Sequence, residues 1–487
     1  MITTDDAIDA ILEGPEGPKI AAFFDFDGTL IDGYSAGAYF TDRLRHGEMG
    51  VGELVETAKM FTMGDLNEAE FAEVIGKGIG EWGGRTEEEM YDLWQRLFKE
   101  KIASCLFPEA WKLVKAHQKM GHTVVIATSA TRYQVAPTAN ELGISDILCT
   151  QALVRHGKLT GGLVGEPLWG TGKANAVKAF AKARRIDLKR CYGYANGNED
   201  IAFLNTVGHA NAVNPKEELA HTADEKGWNR LQFEPRKGNS IASIARSIGA
   251  YSAMATAFVG GLAYAKATGK TRRAVDLIGS IGFDAALAIA GVEVEVVGEH
   301  NVWTHRPAVF LLNHQSKLDF YVMFSLLRRD FTGVAKKEAQ NTPGFKTFME
   351  MAEMAFIDRG NTTKAIEALQ PAVDRLKRGL SVCMAPEGTR SYSPNLGRFK
   401  KGAFHIAMQA GVPIVPVVIR NAGELMSRNS LTMRPGKVQV AVLPAIDTTK
   451  WNVEELDQRV EEVRQRYLDT LENWPTEIKK RRGGKKS

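Results

Sequence analysis

Short apolar runs of β-strand length, each followed by a helical segment, recur in both halves of this chain. In the first half residues 19–26 (KIAAFFDF), 123–128 (TVVIAT), 190–194 and 207–213 read as buried strands, with 173–185 a helix among them. In the second half residues 308–312 (AVFLL), 382–385, 412–419 (VPIVPVVI) and 438–443 read the same way. Strands that alternate with helices build parallel sheets covered on both faces, so the expected class is α/β, twice over. At 487 residues the chain is long enough for two or three separate cores.

Between the two patterns the composition shifts. Residues 234–239 (EPRKGN) suit a linker, and 247–265 (SIGAYSAMATAFVGGLAYA) carry no charge. A second apolar run, 277–292, is broken by Asp284. The first run approaches the length of a bilayer span, but its Ala, Gly and Ser make insertion marginal. A buried helix, an interfacial or re-entrant helix and a true span all fit it. The expected division is 1–235, with a helical cap at about 35–105; 236–292, a linker with candidate membrane-associating helices; 293–475; and a basic tail, 476–487. Residues 452–471 read as an amphipathic helix, with Leu456, Val460, Val463, Tyr467 and Leu471 at helical spacing and Asn452 and Glu455 as a capping box.

Composition excludes some classes. A net charge of +4 gives no reason to expect a nucleic-acid partner. Cys105, Cys149, Cys191 and Cys383 lack CxxC spacing, against a zinc site or disulfide framework and for a reducing compartment. The N-terminus is acidic and has no apolar core, unlike a secretory signal. The basic tail fits either a solvated end or attraction to anionic headgroups, worth about 1 kcal/mol per basic residue at the surface.

The chemistry-bearing segments lie just after strands. His314 and Asp319, in NHQSKLD, are five residues apart. On a turn into a helix the carboxylate can hold one imidazole nitrogen, leaving the other to take a hydroxyl proton. Alone, the pair equally fits a capping Asp beside a satisfied His. Further blocks follow: FIDR (356–359), PEGTRS (386–391) and VPIVPV (412–417). They supply guanidinium groups suited to bidentate phosphate contact and a Gly-Thr turn.

In this order and spacing the four blocks, over residues 290–445, resemble the glycerophosphate and lysophosphatidate acyltransferase family. The resemblance implies His314 as general base, Asp319 as its orienting partner, and Arg359, Glu387, Gly388, Thr389 and Arg390 as the acceptor's phosphate and glycerol site, with Pro416 shaping the pocket. Lys336, Lys337, Lys400 and Lys401 add positive charge nearby or are solvated surface lysines. Ala385 departs from the bulky residue usual there. The implied donor is acyl-CoA or an acyl carrier protein thioester, and the implied acceptor is a lysophospholipid, 1-acylglycerol 3-phosphate or another lysolipid or glycolipid. A membrane surface is the implied partner, which favours the interfacial reading of 247–292 and a peripheral or monotopic place on the membrane's cytoplasmic face.

The first half carries DFDGTL (25–30) at a strand end, where one Asp can attack phosphorus and a second can protonate the leaving group. Thr128, Lys173 and the NGNED run (196–200) follow in order. Together, over residues 18–230, these resemble the haloacid-dehalogenase superfamily, in its phosphoserine-phosphatase-like branch with a Rossmann-like fold and helical cap. The resemblance implies Asp25 as nucleophile, Asp27 as acid/base, Thr128 and Lys173 on the phosphoryl oxygens, and a Mg²⁺ site from Asp25, Asp27, Asn196 and Asp200. Asn196 departs from the family's metal-binding Asp, which leaves an active phosphatase and a degenerate, regulatory domain both open. Tyr34 stands where phosphoserine phosphatases carry a substrate-gripping Glu.

Overall fold

The two runs of strands form two mostly parallel sheets. The computed structural model describes residues 1–49, 67–236, 240–336, 345–357 and 369–476. The chain divides into two units, Met1–Gly238 and Asn239–Ser487.

In the first unit the strands are β1 (Ala21–Phe24), β2 (Thr123–Thr131), β3 (Asp146–Thr150), β4 (Ala152–Arg155), β5 (Lys158–Leu163), β6 (Tyr192–Ala195), β7 (His209–Val213) and β8 (Asn229–Leu231). Six of them form a parallel sheet in the order β3-β2-β1-β6-β7-β8, and β4 and β5 form a separate antiparallel hairpin. All four residues of β1 are buried, as an uninterrupted apolar run in the centre of a parallel sheet requires. The strand order reverses at β1, whose neighbours are β2 and β6. A crevice opens beyond the carboxyl ends of strands at such a switch point, and Asp25 is the first residue past β1.

Helices Ser35–His46, Glu68–Gly80 and Glu87–Glu100 intervene between β1 and β2 and form the expected cap. Capping boxes start two of them, Asn67 with Glu70 and Thr86 with Glu89, each satisfying two backbone donors that a helix start leaves unpaired.

In the second unit β9 (Val292–Val297), β10 (Val309–Leu312), β11 (Phe331–Lys336), β12 (Ala355–Ile357), β13 (Ser381–Met384), β14 (Ile414–Arg420) and β15 (Gly436–Val442) form one sheet, β12-β11-β13-β10-β14-β15-β9. Only the β14–β15 pairing is antiparallel. The central strand β10 runs between β13 and β14, so the segments following β10 and β13 lie side by side. Pro413 precedes β14, while Pro416 lies within it opposite Leu311. Proline donates nothing, but its carbonyl accepts from Leu443 N at 2.9 Å.

Helix Leu456–Glu472 buries Leu456, Val460, Val463 and Tyr467, the face read from its periodicity. The helix does not start with the expected capping box: Asn452 Oδ1 accepts from Glu455 N at 2.8 Å, but the helix begins at Leu456 with Glu455 as an N-cap that makes no side-chain cap bond. The uncharged run lies in a 28-residue helix, Ile241–Thr268, long and apolar enough to cross a membrane by length and composition, yet mostly exposed. The second run is helical as far as Ala290: Thr271–Leu277 continues through a π-helical bulge at Ile278–Gly282 into Phe283–Ala290, and the chain then enters β9.

Candidate functional site

Each unit gathers reactive side chains beyond the carboxyl end of its central strand. In the second unit β10 leads directly to Asn313, whose side chain is fixed across the sheet: Nδ2 donates to Ile419 O (2.8 Å) and Oδ1 accepts from Ile419 N (2.7 Å). His314 follows. Its backbone N–H donates to Glu387 Oε1 at 2.7 Å, and its carbonyl accepts from Ser391 N at 2.8 Å. The NHQSKLD and PEGTRS segments are thus stitched together through backbone atoms.

Asp319 enters the first turn of helix Leu318–Leu327 and is fully buried. Its Oδ2 accepts from His314 Nδ1 (2.8 Å), Gln315 N (2.8 Å) and Ser316 N (2.9 Å). A carboxylate only accepts, so Nδ1 carries a proton, and in the neutral ring Nε2 presents its lone pair. The ring keeps 29% of its side-chain surface exposed, so a hydroxyl can approach that nitrogen. Glu387 is buried and also accepts from Gly397 N at 2.8 Å. Burial raises its pKa, and the two backbone donors pull against that rise.

The segments joined to His314 also carry basic side chains. Arg390 Nη1 donates to Arg428 O at 2.5 Å, and Arg428 Nη2 reaches Thr389 Oγ1 at 3.4 Å while its guanidinium covers the Tyr392 ring at 4.1 Å. Burial and the neighbouring Arg428 push the Arg390 pKa down; burial and Arg390 do the same to Lys317. An anion would relieve that crowding. Arg428 and Lys317 were not singled out from sequence. Lys317 stands inside the His motif, so its place there was the available signal, whereas Arg428 lies in an aperiodic loop that gave none. Gly388 has φ +74°, and the Lys400 side chain packs over it, 3.2 Å from where a Cβ would stand. Lys401 turns away to pair with Asp457 at 2.8 Å. Ala385 packs against the apolar core. Arg359 and Lys337 lie outside the described residues, as does the basic tail from residue 477 on; of Lys336 only the backbone is described.

In the first unit Asp25, Lys173 and Asp200 come together in the interior. Lys173, which is 2% exposed, donates from Nζ to Asp25 Oδ1 at 2.9 Å and to Asp200 Oδ1 at 2.5 Å. Burial opposes the lysine's charge, but Asp200 and Asp25 outweigh it and hold its pKa above the ordinary value. Burial pushes both carboxyls up, Asp200 to about 6, with Lys173 only partly offsetting it. One lysine therefore serves two buried carboxylates. Asp27 turns both carboxylate oxygens to Ser35, accepting from its N (2.7 Å) and Oγ (3.1 Å). Gly28 is at φ +79°, and a Cβ there would stand 2.3 Å from Asn196 Nδ2; glycine satisfies both constraints.

Thr128 is buried, and its Oγ1 accepts from Ala130 N at 3.1 Å; Ser129, Ala130 and Thr131 supply the cavity wall at that point. Tyr34 also lines the cavity. The carboxylates of Asp25 and Asp200 with the amide oxygen of Asn196 form a hard oxygen set of the kind that suits Mg²⁺, and their excess negative charge fits a cation. Among the described residues no three His, Cys, Asp or Glu side chains gather as a metal-binding group. Asp27, also expected in that set, instead gives both carboxylate oxygens to Ser35.

Residues 22–205 match the haloacid dehalogenase-like hydrolase family and residues 293–420 the Acyltransferase family. Phosphoserine phosphatase SerB1 of Mycobacterium tuberculosis is 36% identical over 263 residues, spanning 52% of this chain and 82% of that protein. The 1-acyl-sn-glycerol-3-phosphate acyltransferase of Saccharomyces cerevisiae is 35% identical over 184 residues, 37% of this chain and 60% of the yeast protein. That of Limnanthes alba is 32% identical over 197 residues, 40% of this chain and 69% of the plant protein. The chain is an enzyme that belongs to both families, the haloacid dehalogenase-like hydrolases through its N-terminal half and the acyltransferases through its C-terminal half.

Proposed function

We propose that the C-terminal unit transfers an acyl group from a thioester, on coenzyme A or an acyl carrier protein, to the 2-hydroxyl of 1-acylglycerol 3-phosphate, forming phosphatidic acid. The observation that carries this reading is the 2.8 Å contact from His314 Nδ1 to a buried Asp319, on segments that also carry the half-buried cations Lys317 and Arg390. His314 Nε2 takes the hydroxyl proton as the oxygen attacks the thioester carbonyl. The C–S bond then breaks, and the imidazolium returns that proton to the departing sulfur. Arg390 and Thr389 hold the acceptor's phosphate on the turn at Gly388, joined by Arg359, which is assigned by its place in the FIDR block. Glu387 positions His314. The apolar residues exposed on helix Ile241–Thr268 support a seat on a membrane, and a thioester donor drawn from the cytoplasm favours its cytoplasmic face.

The assay is direct. Lysophosphatidate and acyl-CoA give phosphatidate with the native protein, and His314→Ala loses the product; full activity in that variant would remove the general-base assignment. A panel of other lysolipid and glycolipid acceptors tests the acceptor.

The N-terminal unit, in the same proposal, is a phosphomonoesterase. Haloacid dehalogenase-like hydrolases generally use Mg²⁺. Here Asp25, Asn196 and Asp200 would hold it, and the bound cation supplies charge neutralisation at the phosphoryl oxygens. Asp25 attacks phosphorus as the P–O bond to the alcohol breaks, and Asp27 gives the leaving oxygen its proton. Water then cleaves the aspartyl phosphate, returning a proton to Asp27. Lys173 and Thr128 serve the phosphoryl oxygens. Asn196 is the observation that favours the second reading, a non-catalytic regulatory unit. Phosphate release compared between native protein and Asp25→Asn decides between them.

A further inference from the structure

The cavity above Asp25 is much larger than a phosphate site. Its volume is about 800 Å³, toward the upper end of the ~300–1,000 Å³ of pockets that take drug-sized ligands. Asp25, Asp27, Lys173 and Asn196 line one part of it; helix Glu68–Gly80 of the cap lines another.

That helix is the informative element. Phe71, Val74, Ile75 and Ile79 recur at the spacing of a single helical face, and all four line the cavity. An apolar stripe of this kind ordinarily packs against a protein core. Here only Ile79 is buried by protein, and the remainder of the stripe faces the space over the acids. Two contacts hold it there. The Phe71 ring stacks on Trp169 at 4.5 Å with 6° between planes. At the helix start, Glu68 Oε1 accepts from Thr171 N and Oγ1, both at 2.9 Å, and Thr171 lies two residues before Lys173.

The charges of the cavity fit a small zwitterionic alcohol poorly. A phosphorylated amino acid needs a cation for its carboxylate as well as its phosphate. Among the described residues lining the cavity the lysines are Lys173 and Lys216. Lys173 is held between Asp25 and Asp200, and Lys216 stands 4.0 Å from Glu199. Most of the remaining lining is apolar. At roughly 30 Å³ per water-sized group there is room for a phosphate, a short polar linker and a chain of about a dozen carbons.

We propose that the N-terminal unit hydrolyses phosphate monoesters whose alcohol carries an acyl or alkyl chain, with the chain lying along Phe71, Val74, Ile75 and Ile79 and the phosphate against Asp25. This rests on the reading of that unit as a phosphatase. Water cleaves the ester to inorganic phosphate and the chain-bearing alcohol, so no co-reactant beyond water is needed. The acceptor and the product proposed for the C-terminal unit are both esters of this class.

The test uses the full-length protein with Mg²⁺ and no acyl donor. Phosphate release is followed from ethyl, butyl, hexyl, octyl and decyl phosphate, with phosphoserine and p-nitrophenyl phosphate as references and Asp25→Asn as the blank. Each buried methylene strengthens binding about fourfold at full burial, so kcat/KM should rise at least 100-fold from ethyl to decyl phosphate, and 1-acylglycerol 3-phosphate should surpass glycerol 3-phosphate similarly. In Ile75→Asn the decyl-to-ethyl ratio should fall at least tenfold; a ratio that stays at the native value overturns the placement of the chain. Asp25-dependent hydrolysis of the references with a flat or falling chain series overturns the inference and leaves the phosphatase reading standing. No release above the Asp25→Asn blank from any ester removes both.

Discussion

His314 and Glu387 are joined through the backbone of one and the side chain of the other, His314 N donating to Glu387 Oε1 at 2.7 Å. The other carboxylate oxygen accepts from Gly397 N at 2.8 Å. One buried acid thus ties the end of β10 to two positions of the loop after β13, and so fixes the backbone from which the imidazole projects.

Glu387→Ala leaves both backbone donors without that acceptor. Each unmade bond of this half-buried pair costs on the order of 1–3 kcal/mol, so the second unit should lose about 2–6 kcal/mol of stability and acyl transfer should fall at least tenfold. Urea unfolding and initial rates, measured together, check this. Native stability with low activity would mean that Glu387 acts in the chemistry rather than through position.

Arg428 should matter for the acceptor and not for the donor. Its guanidinium stands beside Thr389 and its carbonyl receives Arg390. Loss of one charge-assisted hydrogen bond costs about 1.5–3 kcal/mol. Arg428→Met should therefore raise KM for lysophosphatidate at least tenfold while KM for acyl-CoA changes less than twofold. Equal changes in both would place Arg428 in general packing.

Arg428 also marks how far the sequence could be read. The apolar runs at 19–26, 123–128 and 308–312 made both sheets legible, because a strand buried on both faces has nowhere to put a charge. His314 and Asp319 were legible as a pair since five residues of chain separate them. The loop carrying Arg428 has no period, and its place depends on Ser316 Oγ donating to Met426 O and on Arg390 reaching Arg428 O. The apolar run at 277–292 gave no sign of the π-helical bulge at Ile278–Gly282 inside its helix, which ends at Gly291, where φ is +73°. The cavity stripe was hidden differently. The spacing of Phe71, Val74, Ile75 and Ile79 announces an apolar face but not what that face meets.

Asn196 invites a substitution that adds charge at constant shape. Asp fits where Asn196 packs against Gly28, but it brings a further carboxylate to a site where one lysine already serves two. Asn196→Asp should lower the melting temperature without metal and tighten Mg²⁺ binding at least tenfold. Titration calorimetry and melting curves with and without Mg²⁺ read both effects, since a ligand stabilises in proportion to its affinity. An unchanged Mg²⁺ affinity would take Asn196 out of the metal site.

The exposed side chains of helix Ile241–Thr268 give a test of membrane seating. Ile244 and Ile248 are 43% and 62% exposed, so replacing both by Asp removes little internal packing. Transfer of two isoleucines into an apolar phase is worth about 2 kcal/mol each. Binding of Ile244→Asp/Ile248→Asp to anionic phospholipid vesicles should weaken at least about 100-fold with the melting temperature nearly unchanged. Native-level binding would move the contact to another part of the chain.

His117 supplies a pH dependence. It is fully buried in the first unit, 2.9 Å from both His122 Nδ1 and Tyr194 Oη. Burial, then the neighbouring His122 and His209, holds its pKa well below the ordinary 6.5. Burial lowers His122 as well, against its bond to Pro15 O. Below pH 6.5 the unfolded chain takes up protons that the folded chain refuses. The stabilisation from keeping His117 neutral is therefore complete above that pH and is lost as the pH falls, at up to about 1.4 kcal/mol per pH unit for each such histidine. Urea midpoints of the N-terminal transition should fall between pH 7 and pH 5, and in His117→Gln that fall should be at least halved. An equal fall in the variant would assign the acid sensitivity to other groups, the Asp25–Lys173–Asp200 cluster excepted, because its carboxyl pKa values are raised and it contributes the opposite slope.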